Sequence, residues 1–318
     1  METTQKIIEK VTPKVVVLIL SYNGKHLLED SVSSYLKNDY QNFEVVVIDN
    51  GSNDGTVNYL QQNFPSVTCL KLDKNQGYSG GFNIGLNYAF NQNNAEYVLV
   101  TNNDVKADPK VISALVQVAV TNDKIGFVTG KVYYFDVPDT LQTVGKKEHP
   151  LLWNGGHIGN REKDSGQYDQ ICERFFADDI FTLVSRKIYI DTGGYDTTFR
   201  FQCEEYDWQA RAKALGYKIY YTPYAKIWHK ESMTIGKTSA FKAYYDSRNP
   251  MLVILKHKSP DFFRRYFWNH FTSIHKGSLA ILLKQRDVKK SLKMLQGFYS
   301  GLSWGIRNKR LTWKHLFK

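Results

Sequence analysis

The sequence predicts an α/β protein whose core is a mostly parallel sheet with helices on both faces, followed by a basic helical region. Two observations predict the sheet: short apolar runs without polar alternation, typical of strands covered on both sides, and helical stretches in the gaps between them. The third observation is charge, because residues 235–318 carry 18 Lys and Arg against three acids, whereas residues 1–234 are slightly acidic. We therefore predict two domains, residues 1–234 and residues 235–318.

The first third of the chain has a repeated strand–helix pattern. Apolar, β-branched runs at Val15–Leu20, Val45–Ile48 and Tyr97–Val100 indicate buried strands. Since ligands of open parallel sheets bind at the carboxyl ends of the strands, the polar residues that follow these runs are candidates for a binding site. The helices predicted between and after the strands cover Leu27–Leu36, Gly80–Phe90 and Lys110–Val120.

The middle of the chain is less regular. From Val132 to Arg174 the pattern loosens into Tyr, Gly, His and charged residues, which predicts a long insertion or lid. A strand at Phe181–Val184 and a turn at Gly193 and Gly194 follow. The remaining predicted elements are a helix over Cys203–Gly216 and strands over Lys218–Tyr221 and Ala225–His229.

The composition and the amino terminus indicate where in the cell the protein is located. With 318 residues, 42% of them hydrophobic, the chain can bury a full core. Cys69, Cys172 and Cys203 lie far apart, so neither a disulfide framework nor a zinc site is predicted. The amino terminus has no signal-peptide pattern, and no apolar run approaches the roughly 20 residues that span a bilayer. We therefore expect a cytoplasmic protein.

Polar residues at the ends of the predicted strands are the first candidate ligands. Asp104 can coordinate Mg²⁺ or Mn²⁺, because hard divalent ions prefer oxygen ligands, yet the Asn102-Asn103-Asp104 triplet is equally compatible with a simple turn. Asp49 and Asn50 can bind a base or ribose, and they too lie in a stretch rich in turn formers. Spacing alone leaves both alternatives open.

A glycine-rich segment, residues 75–85, could bring backbone N–H groups close to a phosphate at a helix start. Its glycines, Gly77, Gly80, Gly81 and Gly85, do not have the spacing of a dinucleotide-binding fingerprint. The sequence therefore favours a phosphate contact here without a Rossmann dinucleotide site.

An acidic cluster further along the chain supplies candidates for a general base. Glu204, Glu205 and Asp207 lie within four residues, and such close acids raise one another's pKa. Asp207 is also four residues before Arg211, which fits an ordinary ion pair on a helix. His229 is compatible with a metal ligand or with a structural role.

Five segments, taken together, resemble family 2 glycosyltransferases of the GT-A fold, in the rhamnosyltransferase-like branch. The resemblance runs from about Lys14 to Lys230. The segments occur in the family's order: VVVLILSYNG, EVVVIDNGSNDGT, NQGYSGGFNIGL, VLVTNNDVKADP and GGYDTTFRFQCEEYDWQARAKALGYKIYYTPYAKIWH. The expected fold is therefore GT-A, a Rossmann-like, mostly parallel sheet.

The resemblance assigns roles to residues of this chain. It implies an inverting transfer in which Glu205 is the base, with Glu204 or Asp207 as fallback. Mn²⁺ or Mg²⁺ is expected at Asp104 and His229. We also expect acceptor contacts from Asp178, Asp179 and Trp153. The residues expected around the nucleotide-sugar donor are Tyr22, Asn23, Asp49, Asn50, Gly77, Asn83, Asn102 and Asn103.

The resemblance also suggests substrates and partners. dTDP-rhamnose is the first expected donor, with a UDP-hexose or UDP-galactofuranose as alternatives, and the acceptor is a hydroxyl of a cell-surface glycan or polyprenyl-linked glycan. The basic, aromatic tail, which includes Trp268, Trp304 and Trp313, suits an anionic membrane at the inner face of the plasma membrane. Rival hypotheses are an inactive family member, a nucleotidyltransferase and a nucleic-acid-binding protein, although we expect no nucleic acid partner.

Overall fold

The computed structural model describes residues 12–231, 239–312 and 315. The predicted domain boundary at residues 234/235, the amino-terminal stretch and Trp313 lie outside the described residues. The strands are β1 (Val15–Ser21), β2 (Phe43–Asp49), β3 (Thr68–Lys71), β4 (Tyr97–Asn102), β5 (Val105–Ala107), β6 (Ile125–Tyr134), β7 (Val137–Thr143), β8 (Lys146–His149), β9 (Trp153–His157), β10 (Cys172–Glu173), β11 (Phe181–Ser185) and β12 (Lys218–His229). The helices are α1 (Leu28–Leu36), α2 (Thr56–Asn63), α3 (Gly77–Asn87), α4 (Val111–Ala119), α5 (Arg186–Thr192), α6 (Glu204–Ala214), α7 (Ala240–His257), α8 (Pro260–Ala280) and α9 (Val288–Arg307).

The large sheet has the order β10-β12-β6-β11-β4-β1-β2-β3. Strands β3, β2, β1 and β4 run parallel, β11 is antiparallel to both of its neighbours, and β12 is parallel to β6. Side chains of β1 alternate between two hydrophobic layers, with Val15, Val17 and Ile19 on one face and Val16 and Leu18 on the other. The predicted α/β class, with helices on both faces of the sheet, is confirmed.

The segment Val132–Arg174 differs from its prediction. It is built from the end of β6 and from strands β7 to β10, with β8 and β9 forming a separate two-stranded sheet. Leu141 and Val144 are fully buried in a small hydrophobic cluster with Tyr133 and Tyr221. The insertion or lid stays a prediction, but the segment contains regular strands that the sequence did not indicate, because short strands rich in Gly, Thr and charge carry little apolar periodicity.

The carboxyl-terminal region is helical, as predicted. Helices α7 and α9 approach closely at Gly297, where an added Cβ would lie 2.1 Å from the carbonyl oxygen of Tyr244. Met251 and Leu252 of α7 belong to the same hydrophobic cluster as Phe82 and Trp208 of the α/β region. The two predicted regions therefore share a core. Within the described ranges, no helix is both long enough and apolar enough to cross a bilayer.

Candidate active site

The carboxyl ends of three parallel strands bring the predicted donor residues to one edge of the sheet. Ser21 of β1 is in register with Asp49 of β2, and Leu20 is in register with Asn102 of β4. The Asn23 N–H donates to Ser52 Oγ at 2.9 Å, and the N–H of Ser52 donates to Asp49 Oδ1 at 3.2 Å. These bonds hold the loops after β1 and β2 together.

Asn50 and Gly77 shape the loop that leads into α3. Asn50 Oδ1 accepts from the N–H of Gln76 at 2.9 Å, and Asn50 Nδ2 donates to the carbonyl of Gly77 at 3.0 Å. Gly77 has φ +77°, and a Cβ there would lie 2.6 Å from Cγ of Arg200. Asn50 therefore holds this loop through both ends of its amide, and its contact with a nucleoside stays a prediction.

Asn83 has a similar structural role. Its Nδ2 donates to the carbonyl of Tyr195, and the N–H of Tyr195 donates to its Oδ1, each at 2.8 Å. The side chain thus ties α3 to the turn that follows Gly193 and Gly194. Asn83 therefore stabilises this turn, and its contact with the donor stays a prediction.

Three other predicted donor residues lie near the carboxyl ends of β1 and β4. Tyr22 directly follows β1 and is 39% exposed. Asn102 is half-buried at the end of β4, and its N–H donates to the carbonyl of Ile180 at 3.1 Å. Asn103 is buried, and its Nδ2 donates to Ser21 Oγ at 3.2 Å. The structure therefore brings Tyr22, Asn102 and Asn103 to the same edge of the sheet.

The predicted metal ligands, Asp104 and His229, are neighbours because β12 pairs antiparallel with β5, in a register that places His229 opposite Val105. Nε2 of His229 lies 3.1 Å from Oδ1 of Asp104, and both residues are buried. Nδ1 of His229 lies 2.8 Å from Gln142 Oε1. When Nδ1–H donates to Gln142, Nε2 keeps a lone pair that faces a carboxylate oxygen, an arrangement that fits a shared cation.

Two buried glutamates and the half-buried Asp179 form a second group beside the end of β4. Ligand oxygens of Asp179, Glu204 and Glu205 lie within 4.8 Å of one another. Glu204 is 1% exposed and Glu205 is 7% exposed, and Oε2 of each has no hydrogen-bond partner among the described residues. Burial, then the charge of Asp179, raises the pKa of both glutamates well above the usual range.

The neighbouring acids Asp178 and Asp179 have opposite environments. Asp178 pairs with Lys146 Nζ and His157 Nδ1, each at 3.0 Å, so although burial raises its pKa, these partners hold that pKa well below the usual range. Burial, then the charge of Asp178, raises the pKa of Asp179 to about 7. Asp179 therefore belongs with the two glutamates, whereas Asp178 stays ionised in an ion-pair network.

Asp207 has a structural role instead of the fallback catalytic one. Its carboxylate lies 2.5 Å from Lys256 Nζ, 2.8 Å from His257 Nε2 and 2.9 Å from Arg211 Nε. Burial opposes ionisation, but these partners lower the pKa of Asp207. The predicted ion pair with Arg211 is confirmed. As a fallback base Asp207 was wrong, because a fully buried carboxylate held by a lysine, an arginine and a histidine does not take up a proton readily.

Trp153 also needs correction. Its ring packs edge-on against Phe175 and Phe176, and Lys258 Nζ lies 4.4 Å from its centroid. With 7% of its surface exposed, Trp153 offers little of its ring to an acceptor sugar. It contributes to the hydrophobic core instead.

Sequence reasoning missed several residues of the candidate site. Lys146 and His157 pair with Asp178, and Gln142 bonds to His229. All three come from the segment predicted as an insertion or lid, where no pattern marked them. Tyr78 lies in the glycine-rich segment, and its hydroxyl donates to the carbonyl of Asp179 at 3.1 Å. A charged residue in an otherwise buried stretch is the only signal that could have identified Lys146.

The comparisons with known proteins agree with this architecture. The model of glycosyl transferase family 2 matches residues 16–193, more than half of the chain. The poly-β-1,6-N-acetyl-D-glucosamine synthases of Staphylococcus aureus (strain COL) and Staphylococcus epidermidis are each 24% identical to this chain, over 224 and 221 residues. These alignments cover 70% and 69% of this chain but 51% and 50% of the relatives. The chain thus spans about half the length of these relatives.

Two solved structures share the fold. One is mannosyltransferase PcManGT from Pyrobaculum calidifontis in complex with GDP-Man and Mn²⁺, with a TM-score of 0.55 and 14% identity over 92% of this chain and 88% of that one. The other is GalNAc-T7 with UDP, GalNAc and Mn²⁺, with a TM-score of 0.63 and 13% identity over 94% of this chain and 58% of that one. With the family match, these similarities confirm the predicted GT-A fold.

Proposed function

Because the chain belongs to glycosyl transferase family 2, we propose that it transfers a sugar from a nucleotide-diphosphate donor to an acceptor hydroxyl, with inversion and with a divalent cation. One observation carries the proposal. The buried pair Asp104–His229 and the acid group of Asp179, Glu204 and Glu205 both lie at the carboxyl edge of the parallel strands. A cation site and a proton acceptor at one crevice are what such a displacement needs.

The residues at the metal site fit a divalent ion. Asp104 offers a carboxylate oxygen and His229 an imidazole nitrogen, and Gln142 orients that imidazole through the other ring nitrogen. A mixed oxygen and nitrogen donor set favours Mn²⁺ over Mg²⁺, which prefers oxygen ligands. When bound there, the cation would offset the negative charge of the departing diphosphate. The two solved structures with the same fold contain Mn²⁺.

Glu205 is the proposed base. It takes the proton of the acceptor hydroxyl while that oxygen bonds to the anomeric carbon, and the bond from this carbon to the diphosphate oxygen breaks. The raised pKa of Glu205 makes it a better proton acceptor than an exposed carboxylate once it is ionised. Glu204 is the remaining alternative, and Asp179 raises the pKa of both.

Several nucleotide sugars are candidate donors. dTDP-rhamnose comes from the sequence resemblance, and a UDP-hexose or UDP-galactofuranose is the alternative. Nucleotide-activated N-acetylglucosamine joins these candidates because the relatives are named for a polymer of that sugar. For the acceptor we keep a hydroxyl of a cell-surface or polyprenyl-linked glycan.

A thermal-shift panel of these nucleotide sugars, with and without Mn²⁺, tests the proposal. We expect Mn²⁺-dependent stabilisation by one nucleotide class, about 2.7 kcal/mol when the ligand is present at 100 times its Kd. Asp104→Asn and His229→Gln should abolish the dependence on Mn²⁺, whereas Asp123→Asn, at an exposed position, should not. No response to any nucleotide sugar by folded wild-type protein would contradict the proposed function.

Glu205→Gln tests the assignment of the base. Product formation with the donor identified above should fall by about 100-fold or more, and donor binding should persist. Glu204→Gln is the matched comparison, because it removes an equally buried charge from the same group. Equal or greater loss in Glu204→Gln would move the role of base to Glu204.

The helical region completes the proposal with a membrane-facing surface. Val288, Leu292, Tyr299 and Ile306 of α9 are exposed, and their spacing of four and seven residues places them on one face of the helix. Leu283, before α9, is 69% exposed. The cations that flank this apolar surface are Lys284, Arg286, Lys289, Lys293 and Arg307. Exposed apolar side chains among cations fit an anionic lipid surface better than water.

Vesicle sedimentation tests this surface in the full-length protein. Wild type should bind phosphatidylglycerol vesicles and bind pure phosphatidylcholine vesicles weakly. The triple variant Leu283→Ser, Leu292→Ser and Ile306→Ser should lose at least about tenfold in affinity, because each buried leucine or isoleucine contributes about 1.5–3 kcal/mol. Ile190→Ser, which changes a residue that is 71% exposed on α5, is the control. Unchanged vesicle binding, or salt-sensitive binding of single-stranded RNA in its place, would contradict the membrane proposal.

A further inference from the structure

We propose that Asn249 of α7 is a positioning residue that holds the turn before α6, and thereby Glu205, in the catalytic geometry. The inference rests on the proposed function in one respect, the role of Glu205 as base. It adds a role for the helical region: α7 supports the active site directly, in addition to any contact of α8 and α9 with lipid.

The turn before α6 has an unfavourable backbone. Arg200, Gln202 and Cys203 have φ values of 57°, 69° and 70°, which residues with a Cβ rarely adopt. Glu204 and Glu205 follow immediately as the first two residues of α6. Three such residues within four positions persist only where surrounding contacts impose the conformation. The position of the proposed base therefore depends on whatever holds this turn.

Asn249 provides those contacts from the neighbouring helix. Its Nδ2 lies 2.9 Å from the carbonyl oxygen of Phe199, 2.7 Å from that of Phe201 and 2.8 Å from that of Gln202. The side chain is completely buried. The two amide hydrogens are thus shared among three carbonyls of one turn. Without Asn249, these buried carbonyls would have no water to bond to in place of the amide.

The orientation of this amide is itself fixed. Oδ1 of Asn249 accepts a hydrogen bond from Arg248 Nη1 at 2.8 Å, and the same nitrogen donates to the carbonyl of Thr198 at 3.0 Å. With Oδ1 occupied by a cationic donor, Nδ2 must face the turn. An aspartate at position 249 would be nearly isosteric but would turn an acceptor towards three acceptors.

The same turn also touches the loop that begins α3. The N–H of Tyr78 donates to the carbonyl of Arg200 at 2.7 Å, and Gly77 leaves room for the Arg200 side chain. Asn249 therefore stabilises a segment that contacts the candidate donor loop on one side and carries the candidate base on the other. Movement of this turn should alter the orientation of base and donor more than the affinity for either.

Two measurements on full-length protein test the inference. Asn249→Asp should lower kcat by about 100-fold with little change in the donor KM, because a base displaced by about 1 Å has this scale of effect. It should also move the acidic limb of the pH–rate profile, which reports the base. Leu252→Ala is the control for stability. It truncates a buried side chain of the same helix, and this side chain forms no hydrogen bond with the turn.

Amide hydrogen exchange over residues 198–206 gives a readout that does not need activity. Exchange should be faster in Asn249→Asp and unchanged in Ser247→Ala, whose hydroxyl bonds within its own helix, to the carbonyl of Ala243. If Asn249→Asp does not fold, Asn249→Ser, which keeps one donor, replaces it in both measurements.

The outcomes separate this inference from the proposed function. Unchanged exchange over residues 198–206, or a loss of kcat no larger than that of Leu252→Ala, overturns the role of Asn249. If wild type transfers no sugar, the proposed function fails, and the exchange measurement still decides whether Asn249 holds the turn. If Glu205→Gln is inactive and Asn249→Asp is fully active, only the positioning role falls.

Discussion

At the scale of single residues, the chemistry depends on which buried carboxylates have cationic partners. Asp178 and Asp207 are each held by at least two basic side chains, and both have lowered pKa values. Asp179, Glu204 and Glu205 have raised pKa values. Acids of the same chemical type, close in sequence, thus divide into residues whose ion pairs favour the ionised form and residues whose surroundings favour the protonated form.

The raised pKa values predict that stability without metal falls as the pH rises. An acid whose pKa is higher in the folded protein binds more protons there than in the unfolded chain. The free energy of unfolding therefore decreases as the pH rises from about 4.5 through the pKa of the folded state, which is about 7 for Asp179. Each unit of raised pKa corresponds to about 1.4 kcal/mol. Thermal unfolding between pH 5 and pH 8 should show this decline.

Glu205→Gln should flatten this pH dependence and raise Tm at pH 8, because it removes one of three mutually repelling charges. Asp123→Asn, at an exposed site, should leave the slope as in wild type. A wild-type Tm that increases between pH 5 and pH 8 would be inconsistent with raised pKa values for Asp179, Glu204 and Glu205.

Acids and side-chain amides were both predicted as site residues. Asp104, Glu204 and Glu205 were candidates because of their positions, and the family resemblance supplied their roles. Asn50 and Asn83 occupy equally suggestive places, but their amides bind the backbone of this protein. A side-chain amide that binds a ligand and one that fastens a loop have the same sequence signature, since both are turn-compatible donors and acceptors.

At the scale of helices and strands, the strength of the hydrophobic pattern decided which elements could be predicted. Strands β1, β2 and β4 are continuous β-branched runs and were found within two residues of their ends. Strand β3 and helix α2 were missed because their side chains are mostly half-buried or exposed and lack a clear period. Strand β12 was expected as two pieces, and its register does shift between Tyr221 and Lys226.

The close packing of α9 on α7 leads to a prediction for two glycines of the same helix. An alanine Cβ at Gly297 would lie 2.1 Å from a backbone oxygen, whereas at Gly301 the nearest atoms are 3.3 Å away. Gly297→Ala should destabilise the protein by about 1–3 kcal/mol through overpacking. Gly301→Ala should be much milder, because the helix propensity of alanine offsets the tighter contact. Denaturant unfolding of both variants measures the difference, and equal effects would contradict it.

At the scale of the whole molecule, charge and packing divide the chain differently. The change in charge near residue 235 suggested two separate domains, yet α7 contributes Met251 and Leu252 to the main core and pairs Lys256 with both Asp196 and Asp207. Composition along a sequence records which surface meets water or lipid. It does not record which buried faces meet each other, and this is why the shared core was not predicted.

We therefore expect a chain ending at residue 234 to lose its cooperative fold. Truncation would expose the apolar surface beneath α7 and leave Asp207 buried without Lys256 and His257. Breaking one buried ion pair typically costs about 3–5 kcal/mol. Circular dichroism melting of residues 1–234 should show a broad transition in place of a sharp one. A sharp transition near the full-length Tm would establish residues 1–234 as an independent domain.

The dependence of the turn before α6 on Asn249 has a consequence for biosynthesis. Chains emerge from the ribosome amino terminus first, at about 5–20 residues per second, so the sheet can assemble before α7 exists. The backbone of Glu205 would then be fixed only after α7 has been synthesised, some seconds later. A nascent or prematurely terminated chain would thus be inactive. Activity would require the same helical region that carries the exposed apolar and cationic surface of α9.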